Sequence, residues 1–250
     1  MKLTGNTIFI TGGGSGIGRG LAEAFHKRGN KVIISGRRRA NLDEVITANP
    51  GMEAVELDIT DPASIDRVAA RLIADHPDLN VLFNNAGIML PDQAADRIDE
   101  KLMVDTITTN LMGPIRMTSA LVDHLKGKKD AAIVYTSSVV AFVPLALTAV
   151  YSATKSAIHS YALSQRYLLK NAGVRVLEMS PPWVRTDLMN SREAEAAMPL
   201  DQFIAETMAA FGTGADEILV EGAKSLRGYA GPNEHGAVSQ FNEFMAAYVH

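Results

Sequence analysis

The stretch TIFITGGGSGIG, residues 7–18, organises the interpretation of the whole chain. Its first four residues are an apolar run of strand type, and a helical pattern with Leu21, Ala22 and Phe25 on one side follows the glycines. Glycines at such a turn permit positive φ and close approach, and the helix N-terminus offers free N–H groups to a phosphate. The alternative is an ordinary turn. The position between strand and helix favours nucleotide binding, with candidate residues Gly12, Ser15, Gly16, Ile17 and Gly18.

Strand-type and helix-type segments alternate along most of the chain. The strands are continuous apolar runs, which is typical of a parallel sheet covered on both faces by helices. Right-handed crossovers then predict an α/β fold with a doubly wound parallel sheet of Rossmann type. Strands are predicted at 7–10, 31–35, 54–57, 79–83, 131–135 and 174–179, and the helices include 37–48, 96–126 and 151–171.

The pattern changes after residue 182. Residues 187–212 predict short helices, residues 215–229 predict a further helix, and no clear seventh strand follows. No linker or repeat is visible, so we expect a single domain over residues 1–250. Its cofactor and catalytic part is 1–186, and its substrate loop and C-terminal helices are 187–250.

Composition limits the function. Hydrophobic residues make up 47% and charged residues 21% of the 250-residue chain, as in ordinary globular proteins. The net charge is -4 with both signs interspersed, so we expect no nucleic-acid partner. The chain has no cysteine, which excludes disulfides, thiolate metal sites and a cysteine nucleophile. The six histidines show no metal-ligand spacing, so no metal site is predicted.

The location of the protein is predicted from its apolar segments. The N-terminus runs directly into a strand pattern, so a signal peptide is not expected. The longest apolar run, residues 139–151, contains Pro144 and is much shorter than a membrane span. We expect a cytoplasmic protein with no membrane partner.

The end of the second predicted strand bears on the choice of coenzyme. A carboxylate there would bind free ribose hydroxyls, but this chain has Arg37 and Arg38. These arginines suit a 2′-phosphate, or they are simply a solvated helix start. We therefore expect NADP(H), with NAD(H) as the alternative. After the third strand, Asp58 either accepts from an adenine amino group or caps the next helix, and Ile59 follows it as a further candidate cofactor contact.

Tyr151 and Lys155 are four residues apart in a predicted helix and therefore lie on one face of it. A phenol has a pKa near 10, and a nearby ammonium favours the phenolate. The pair is thus a candidate acid–base group. Alone, it is equally compatible with a packed tyrosine beside a solvated lysine.

Together these features resemble the classical short-chain dehydrogenase/reductase family, and several phrases resemble its teichoic-acid D-alanylation-linked oxidoreductase branch. The resemblance covers residues 1–187. Its motifs are the glycine turn at 11–18, Asn84-Asn85-Ala86-Gly87, Asn110, Ser138, Tyr151, Lys155 and Val184-Arg185-Thr186.

The resemblance implies a catalytic role for four residues. Tyr151 would be the general acid in ketone reduction and the base in alcohol oxidation. Lys155 would lower the pKa of Tyr151 and hold the nicotinamide ribose. Ser138 would hydrogen-bond the reacting oxygen, and Asn110 would order a water next to Lys155.

The resemblance also implies contacts with the dinucleotide and the substrate. Asn84, Ala86 and Gly87 would pack against the adenine ribose, and Pro181, Val184 and Thr186 would surround the nicotinamide. The substrate pocket would be lined by Met89, Val140, Leu145 and Trp183, which are all apolar. Hydride transfer with a hydrophobic ketone or secondary alcohol is therefore expected. The alternative is a dinucleotide-binding regulator that has lost the chemistry.

Two departures from the family pattern affect these expectations. Pro181-Pro182 stands where many members have Pro-Gly, so the loop leaving the sixth strand should be stiffer. A seventh strand, which many members use in a tetramer interface, is not evident. We therefore expect a homodimer through the helices at 96–126 and 151–171, with a tetramer as the alternative.

Overall fold

The structure is a computed structural model that describes residues 1–232 and 234–248. Its strands are β1 Thr7–Thr11, β2 Lys31–Gly36, β3 Glu53–Glu56, β4 Leu79–Asn84, β5 Ala131–Thr136, β6 Val174–Met179 and β7 Glu217–Ile218. Within the described residues these seven strands form one sheet in the order β3-β2-β1-β4-β5-β6-β7, and every pairing is parallel. The predicted doubly wound α/β sheet is confirmed.

Helices cover both faces of this sheet. They are α1 Gly16–His26, α2 Arg39–Ala48, α3 Pro62–Asp75, α4 Glu100–Ile107, α5 Gly113–Lys126, α6 Ala149–Leu169, α7 Leu200–Gly212, α8 Glu221–Arg227 and α9 Glu234–Ala246. One core layer holds buried residues of α1, α2 and α7, and the other holds those of α3, α5 and α6. Ile8 and Ile10 belong to the first layer and Phe9 to the second, because successive strand residues point to opposite faces. This explains the continuous apolar runs.

The long helix predicted at 96–126 is interrupted. A π-helical turn at Thr108–Met112 separates α4 from α5. At Gly113 a Cβ would lie 2.7 Å from Cγ1 of Ile59, so only glycine lets the helix pass this close to the loop after β3. Pro114 follows and lacks an N–H group, which fits the start of a new helix.

The seventh strand corrects the sequence analysis. Glu217 and Ile218 pair with Glu178 and Met179 of β6, so the helix predicted at 215–229 is wrong in its first half. Only α8 remains of it. Two strand residues are too few to produce a periodic pattern, and their conformation depends on the open edge of β6. The short helices predicted at 187–212 are confirmed as a 3₁₀ segment at Leu188–Glu193 and as α7.

The topology determines where a ligand can bind. The chain leaves β1 towards β2 and β3 on one side and continues on the other side with β4. Loops after β1 and β4 therefore diverge and leave a crevice at the carboxyl ends of the strands. Separately, no helix in the described part of the chain has the length and apolar character needed to cross a membrane.

Candidate active site

A cleft of about 1890 Å³ opens at the carboxyl ends of the strands. Most of the predicted site residues line it. They are Gly12, Ser15, Gly16, Ile17, Gly18, Arg37, Arg38, Ile59, Ala86, Gly87, Met89, Ser138, Val140, Leu145, Tyr151, Lys155, Pro181, Trp183, Val184 and Thr186. Asp58, Asn84 and Asn110 are not among the lining residues.

The glycine turn packs with almost no space to spare. Gly12 and Gly16 have φ of 69° and 51°, a region that L side chains rarely adopt. A Cβ on Gly18 would lie 2.2 Å from the carbonyl oxygen of Gly12, so this glycine lets α1 begin directly above the end of β1. Ser15 precedes α1 and its side chain makes no capping hydrogen bond, which leaves the first N–H groups of the helix to a ligand. The turn therefore fits a pyrophosphate.

Thr11 and Asn85 hold the glycine turn against the end of β4, and the sequence analysis assigned neither a role. The Thr11 hydroxyl accepts from the backbone N–H groups of Asn85 at 3.0 Å and of Ala86 at 3.1 Å. The Asn85 amide donates to the Thr11 carbonyl oxygen at 3.1 Å. These hydrogen bonds join residues 74 or 75 positions apart. The sequence signal that could have indicated this contact is a polar side chain at the end of each of the two strands.

The expected contact of Asn84 with the adenine ribose is corrected. The side chain of Asn84 is buried and donates to the hydroxyl of Thr118 on α5, on the side of the sheet away from the cleft. Consecutive strand residues alternate in direction, so Asn85 is the one that faces the glycine turn. Ala86 and Gly87 do line the cleft.

Arg37 and Arg38 lie where β2 ends. Among the described residues neither makes an ion pair within 4.0 Å, whereas the next residue, Arg39, pairs with Asp43 at 2.8 Å. Two unpaired guanidinium groups at the edge of the cleft fit an anionic group on the ribose. Arg37 also acts on Asp58, where it contributes to a lowered pKa.

Asp58 serves local structure in this molecule. One of its carboxylate oxygens accepts from the Thr60 N–H group at 2.9 Å and from the Thr60 hydroxyl at 2.7 Å, and these bonds are the main cause of its lowered pKa. Asp61, not Asp58, caps α3. The helix-cap alternative for Asp58 is therefore wrong, and the expected adenine contact stays a prediction. Ile59 is buried and lines the cleft.

Asn110 lies on the π-helical turn and is fully buried. Its amide accepts from the N–H group of Ile88 at 2.8 Å and donates to the carbonyl oxygen of Ile88 at 2.7 Å. The side chain therefore holds the loop after β4 by hydrogen-bonding its backbone, as a neighbouring strand would do. A Cβ at Gly87 would lie 3.3 Å from the Asn110 oxygen and 3.8 Å from Lys155 Nζ, so Gly87 separates these two groups. The expected role of Asn110 in ordering a water stays a prediction.

Ser138 is placed by the end of β5 and the 3₁₀ turn that follows it. Its hydroxyl accepts from the Val140 N–H group and donates to the Pro181 carbonyl oxygen, both at 3.3 Å. These are long hydrogen bonds, so the hydroxyl can be redirected towards a ligand at small cost. Pro181 also accepts from the Val139 N–H group at 3.0 Å, which ties the ends of β5 and β6 together.

Tyr151 lies in the first turn of α6, inside the cleft. The N-terminus of this helix is held by Asp92, whose carboxylate accepts from the Val150 N–H group at 2.8 Å. The resemblance implied that Lys155 lowers the pKa of Tyr151. In this structure burial dominates and raises that pKa to about 12, with the Ser138 hydroxyl acting in the opposite direction. Tyr151 is therefore a protonated phenol at neutral pH, which is the form that a general acid requires.

Lys155 is buried beside Tyr151. Its Nζ donates to the Thr136 carbonyl oxygen at 2.8 Å and lies 5.4 Å from the centre of the Tyr151 ring. Burial lowers the pKa of Lys155 to about 8, and the negative charge of Glu178 works against that shift. At neutral pH the ammonium keeps its charge and retains donors for a ligand in the cleft.

The loop after β6 forms the wall opposite the glycine turn. Thr186 approaches Gly16 so closely that a Cβ on the glycine would lie 3.4 Å from the threonine side chain. Ser191, which the sequence analysis did not assign, accepts from the Thr186 N–H group at 3.3 Å and donates to the Val184 carbonyl oxygen at 3.0 Å. Met189 and Asn190 have positive φ, so this loop is tightly folded.

The substrate side of the cleft contains residues that the sequence analysis did not place there. We call them the C-terminal wall: Leu226 of α8 with Phe241, Phe244, Met245 and the nearby Tyr248 of the α9 region. Asn242 on α9 attaches this wall to the loop before α6. Its amide donates to the Pro144 carbonyl oxygen at 2.9 Å, and its oxygen accepts from the Ala146 N–H group. The helical spacing of these aromatic residues is visible in the sequence, but the sequence does not show that they line the cleft.

In the described part of the chain, one group of side chains is close enough together to hold a cation. His159, Glu178 and Glu217 bring one nitrogen and two carboxylates within 4.8 Å of one another. Each acid already has a partner, because His159 Nδ1 lies 2.7 Å from Glu178 and Arg227 lies 2.6 Å from Glu217. Both acids are thus already engaged by neighbouring side chains.

A family model described as short chain dehydrogenase matches residues 6–197. The chain belongs to the short-chain dehydrogenase family. It is similar to the uncharacterized oxidoreductase DltE of Bacillus subtilis (strain 168), with 36% identity over 234 residues that cover 91% of this chain and 92% of that one. The prediction of an NAD(P)-dependent dehydrogenase/reductase is confirmed.

Two solved structures of this family resemble the enzyme closely. A short chain dehydrogenase from Burkholderia cenocepacia J2315 in complex with NADP has a TM-score of 0.85 and 26% identity, over 96% of this chain and 98% of that one. A 3-ketoacyl-(acyl-carrier-protein) reductase from Brucella melitensis complexed with NADH has a TM-score of 0.76 and 29% identity, over 84% of this chain and 91% of that one. Members of the family thus bind either coenzyme.

Proposed function

We propose that the enzyme transfers hydride between NADP(H) and a hydrophobic ketone or secondary alcohol, as a carbonyl reductase or alcohol dehydrogenase. The observation that carries the proposal is the convergence of Ser138, Tyr151 and Lys155 in one cleft. The glycine turn lies at one end of this cleft, and apolar side chains form the other end.

The roles of the catalytic groups follow from their protonation states. A bound nicotinamide dinucleotide supplies or accepts the hydride, while the protein handles the proton and the orientation of the substrate. In ketone reduction, Tyr151 donates its phenolic proton to the oxygen as charge develops there, and the Ser138 hydroxyl turns from Pro181 to the same oxygen. This leaves a phenolate, which the positive charge of Lys155 stabilises, and in alcohol oxidation that phenolate accepts the proton of the alcohol and returns to the phenol.

The coenzyme preference is proposed from the edge of the cleft at β2. Arg37 and Arg38 offer two guanidinium groups to a 2′-phosphate, and neither has an ion-pair partner among the described residues that a phosphate would need to displace. No carboxylate stands at this strand end to bind free ribose hydroxyls. Both features support NADP(H) over NAD(H).

The substrate class is proposed from the opposite end of the cleft. Met89, Val140, Leu145 and Trp183 line the space near Ser138, and the C-terminal wall continues this apolar lining outwards. A substrate with an alkyl or aromatic group buries its apolar surface here, with about 25 cal/mol gained per Å². A carboxylate near the reacting carbon would lose hydration without a partner.

We also propose a homodimer through α4 and α6. On α6, Tyr167 and Leu168 are 68% and 75% exposed and Leu163 is also exposed, and so are Val104 of α4 and Met112 of the π-helical turn after α4. Large apolar side chains exposed together are typical of an interface. Light scattering of the purified protein should give twice the monomer mass. A monomer at the concentration of the assay would contradict this arrangement, and a tetramer would require a second interface.

The function is tested by following reduced nicotinamide absorbance with both coenzymes and a panel of ketones and alcohols. We expect turnover of aryl and alkyl ketones with NADPH, and little turnover of matched keto acids that carry a carboxylate in place of a methyl group. Turnover confined to the keto acids would overturn the proposed substrate class. Coenzyme binding without turnover of any member would favour a regulatory protein.

A further inference from the structure

A buried carboxylate with no role in the proposed reaction lies behind the active site. Glu178 of β6 is 1% exposed. Burying a carboxylate is costly unless it is paired and hydrogen-bonded. We therefore ask whether the charge of Glu178 or its hydrogen bonds serve the active site.

Three side chains satisfy Glu178. One carboxylate oxygen accepts from the hydroxyls of Ser137 and, at 3.4 Å, Ser180. The other lies 2.7 Å from Nδ1 of His159. The Ser137 hydroxyl donates to the carboxylate and not to the imidazole, so the three residues do not form an activated serine nucleophile.

These partners connect Glu178 to the groups that face the cleft. Ser137 directly precedes Ser138, and Ser180 directly precedes Pro181, whose carbonyl oxygen accepts from the Ser138 hydroxyl. The carboxylate therefore holds the ends of β5 and β6 together, so that the Ser138 hydroxyl reaches the Pro181 carbonyl oxygen.

Glu178 is also connected to Lys155 through residues that neighbour both of them. Its partner His159 is one helical turn after Lys155 on α6, so the two side chains share a face of that helix. On β5, Lys155 Nζ is bound to the carbonyl oxygen of Thr136, the residue after Tyr135, and Tyr135 is the register partner of Glu178. The carboxylate thus lies close enough to oppose the loss of charge that burial imposes on Lys155, whose pKa it raises.

The other charges around this site come from two further elements. Glu217 of β7 lies next to His159 and Glu178, and it is paired with Arg227 of α8 at 2.6 Å. The guanidinium of Arg227 also stacks on the ring of Phe142, which contacts His159 edge-on. Arg227 therefore compensates Glu217, and the charge of Glu178 is directed to His159 and Lys155.

We propose that Glu178 is a positioning residue that acts as the fixed counter-charge of Lys155, held in place by Ser137, Ser180 and His159. The inference rests on the proposed function in one respect, which is that charged Lys155 holds the dinucleotide ribose. It predicts that Glu178 sets the alkaline limit of coenzyme binding.

The test is the affinity for NADPH and for NADH, measured by nucleotide fluorescence from neutral to alkaline pH in the absence of substrate. In Glu178→Gln the carboxylate charge is lost but the size is kept, so Lys155 loses its proton at a lower pH. We expect the alkaline limit of binding to move down by about one pH unit, so that binding in this variant already weakens near neutral pH and matches the parent protein only at lower pH. An unchanged limit in a folded Glu178→Gln protein would overturn the proposal.

Two further variants separate charge from packing. Ser137→Ala removes one hydrogen bond but keeps the carboxylate, and we expect its alkaline limit to match the parent protein. A shift in Ser137→Ala as large as in Glu178→Gln would show a structural effect and overturn the counter-charge role. If Glu178→Gln does not fold, Glu178→Asp keeps the charge and should keep the limit within a few tenths of a pH unit. A limit that moves down by a full unit in this variant would contradict the proposal.

The readout also distinguishes this inference from the proposed reaction. Coenzyme binding is measured without a carbonyl substrate, so a failure to find a ketone that turns over leaves the result intact. If neither nucleotide binds the parent protein at any pH, the proposed function fails first.

Discussion

The glycine turn and the C-terminal wall line the same cleft, and they are held by different contacts. At the glycine turn, backbone packs against backbone: a Cβ on Gly18 would lie 2.2 Å from Gly12, and Thr11 and Asn85 hydrogen-bond across the ends of β1 and β4. The C-terminal wall meets the cleft with apolar side chains, and Asn242 hydrogen-bonds it to the loop before α6.

This difference separates two tasks. A turn built from backbone groups tolerates no added atom, so it binds one unchanging ligand. Apolar side chains on a helix can be exchanged for others of similar volume at modest cost. We therefore expect changes at the glycine turn to affect all substrates alike, and changes at the C-terminal wall to affect some substrates only.

The largest effect is expected at Tyr151, the proposed proton donor. Tyr151→Phe removes the proton donor while keeping the ring, so turnover should fall by about 10²–10⁴-fold. Coenzyme affinity, measured by fluorescence, should be unchanged. Tyr161→Phe is the matched control, because Tyr161 is on the same helix and packs against Tyr135 outside the cleft. Full activity in Tyr151→Phe would remove this residue from the mechanism.

The glycine turn is tested by Gly18→Ala. The added methyl group meets the backbone of Gly12, so we expect a loss of about 1–3 kcal/mol in the free energy of unfolding. Affinity for both coenzymes should weaken, and activity should fall by a similar factor with every substrate tested. Gly236→Ala in α9 is the control, because nothing lies within 4 Å of its Cβ position. Equal effects of the two substitutions would show that the close approach at Gly18 is unimportant.

Coenzyme choice is tested at the end of β2 by Arg37→Asp. The carboxylate repels a 2′-phosphate and accepts from ribose hydroxyls, so the ratio of kcat/KM for NADPH to that for NADH should fall by at least about tenfold. Arg39→Gln is the control, since Arg39 pairs with Asp43. If the two variants behave alike, the NADP(H) preference is not set by Arg37.

The smallest and most selective effect is expected at the C-terminal wall. Phe241→Ala removes apolar surface from the outer cleft, so kcat/KM for bulky aryl ketones should fall by about tenfold while that for acetone-sized ketones changes little. Coenzyme affinity should match the parent protein. Tyr229→Ala is the control outside the cleft lining. A uniform loss for all ketones would mean that α9 supports the fold and not specificity.

Much of the nucleotide side could be predicted from residues close in sequence. The apolar run before Gly12 and the helical pattern after Gly18 define strand, turn and helix locally, and the structure confirms them. Ser138, Tyr151 and Lys155 were assigned by resemblance, and all three line the cleft. Asn84 was assigned in the same way, but its side chain points into the core.

The missed features depend on residues far apart in the chain. β7 forms because two residues pair with the edge of β6. A segment of two residues is too short to show the alternating pattern that predicts a strand. The C-terminal wall depends on Asn242 reaching Pro144, 98 positions earlier. The direction of the Tyr151 pKa shift was also not predicted, because burial raises this pKa whereas a nearby ammonium would lower it.

The sequence by itself determined the alternating α/β fold, the glycine turn and the Tyr151–Lys155 pair, because each rests on short-range periodicity or on a conformation that only glycine adopts. Tertiary structure alone decided which side chains close the substrate cleft and which charge lies behind Lys155. Burial and electrostatic contact depend on distances between strands and helices that are far apart in the chain. Glu178 illustrates this: in the sequence it is one acid in an apolar strand, and in the folded protein it is buried against Ser137, Ser180 and His159.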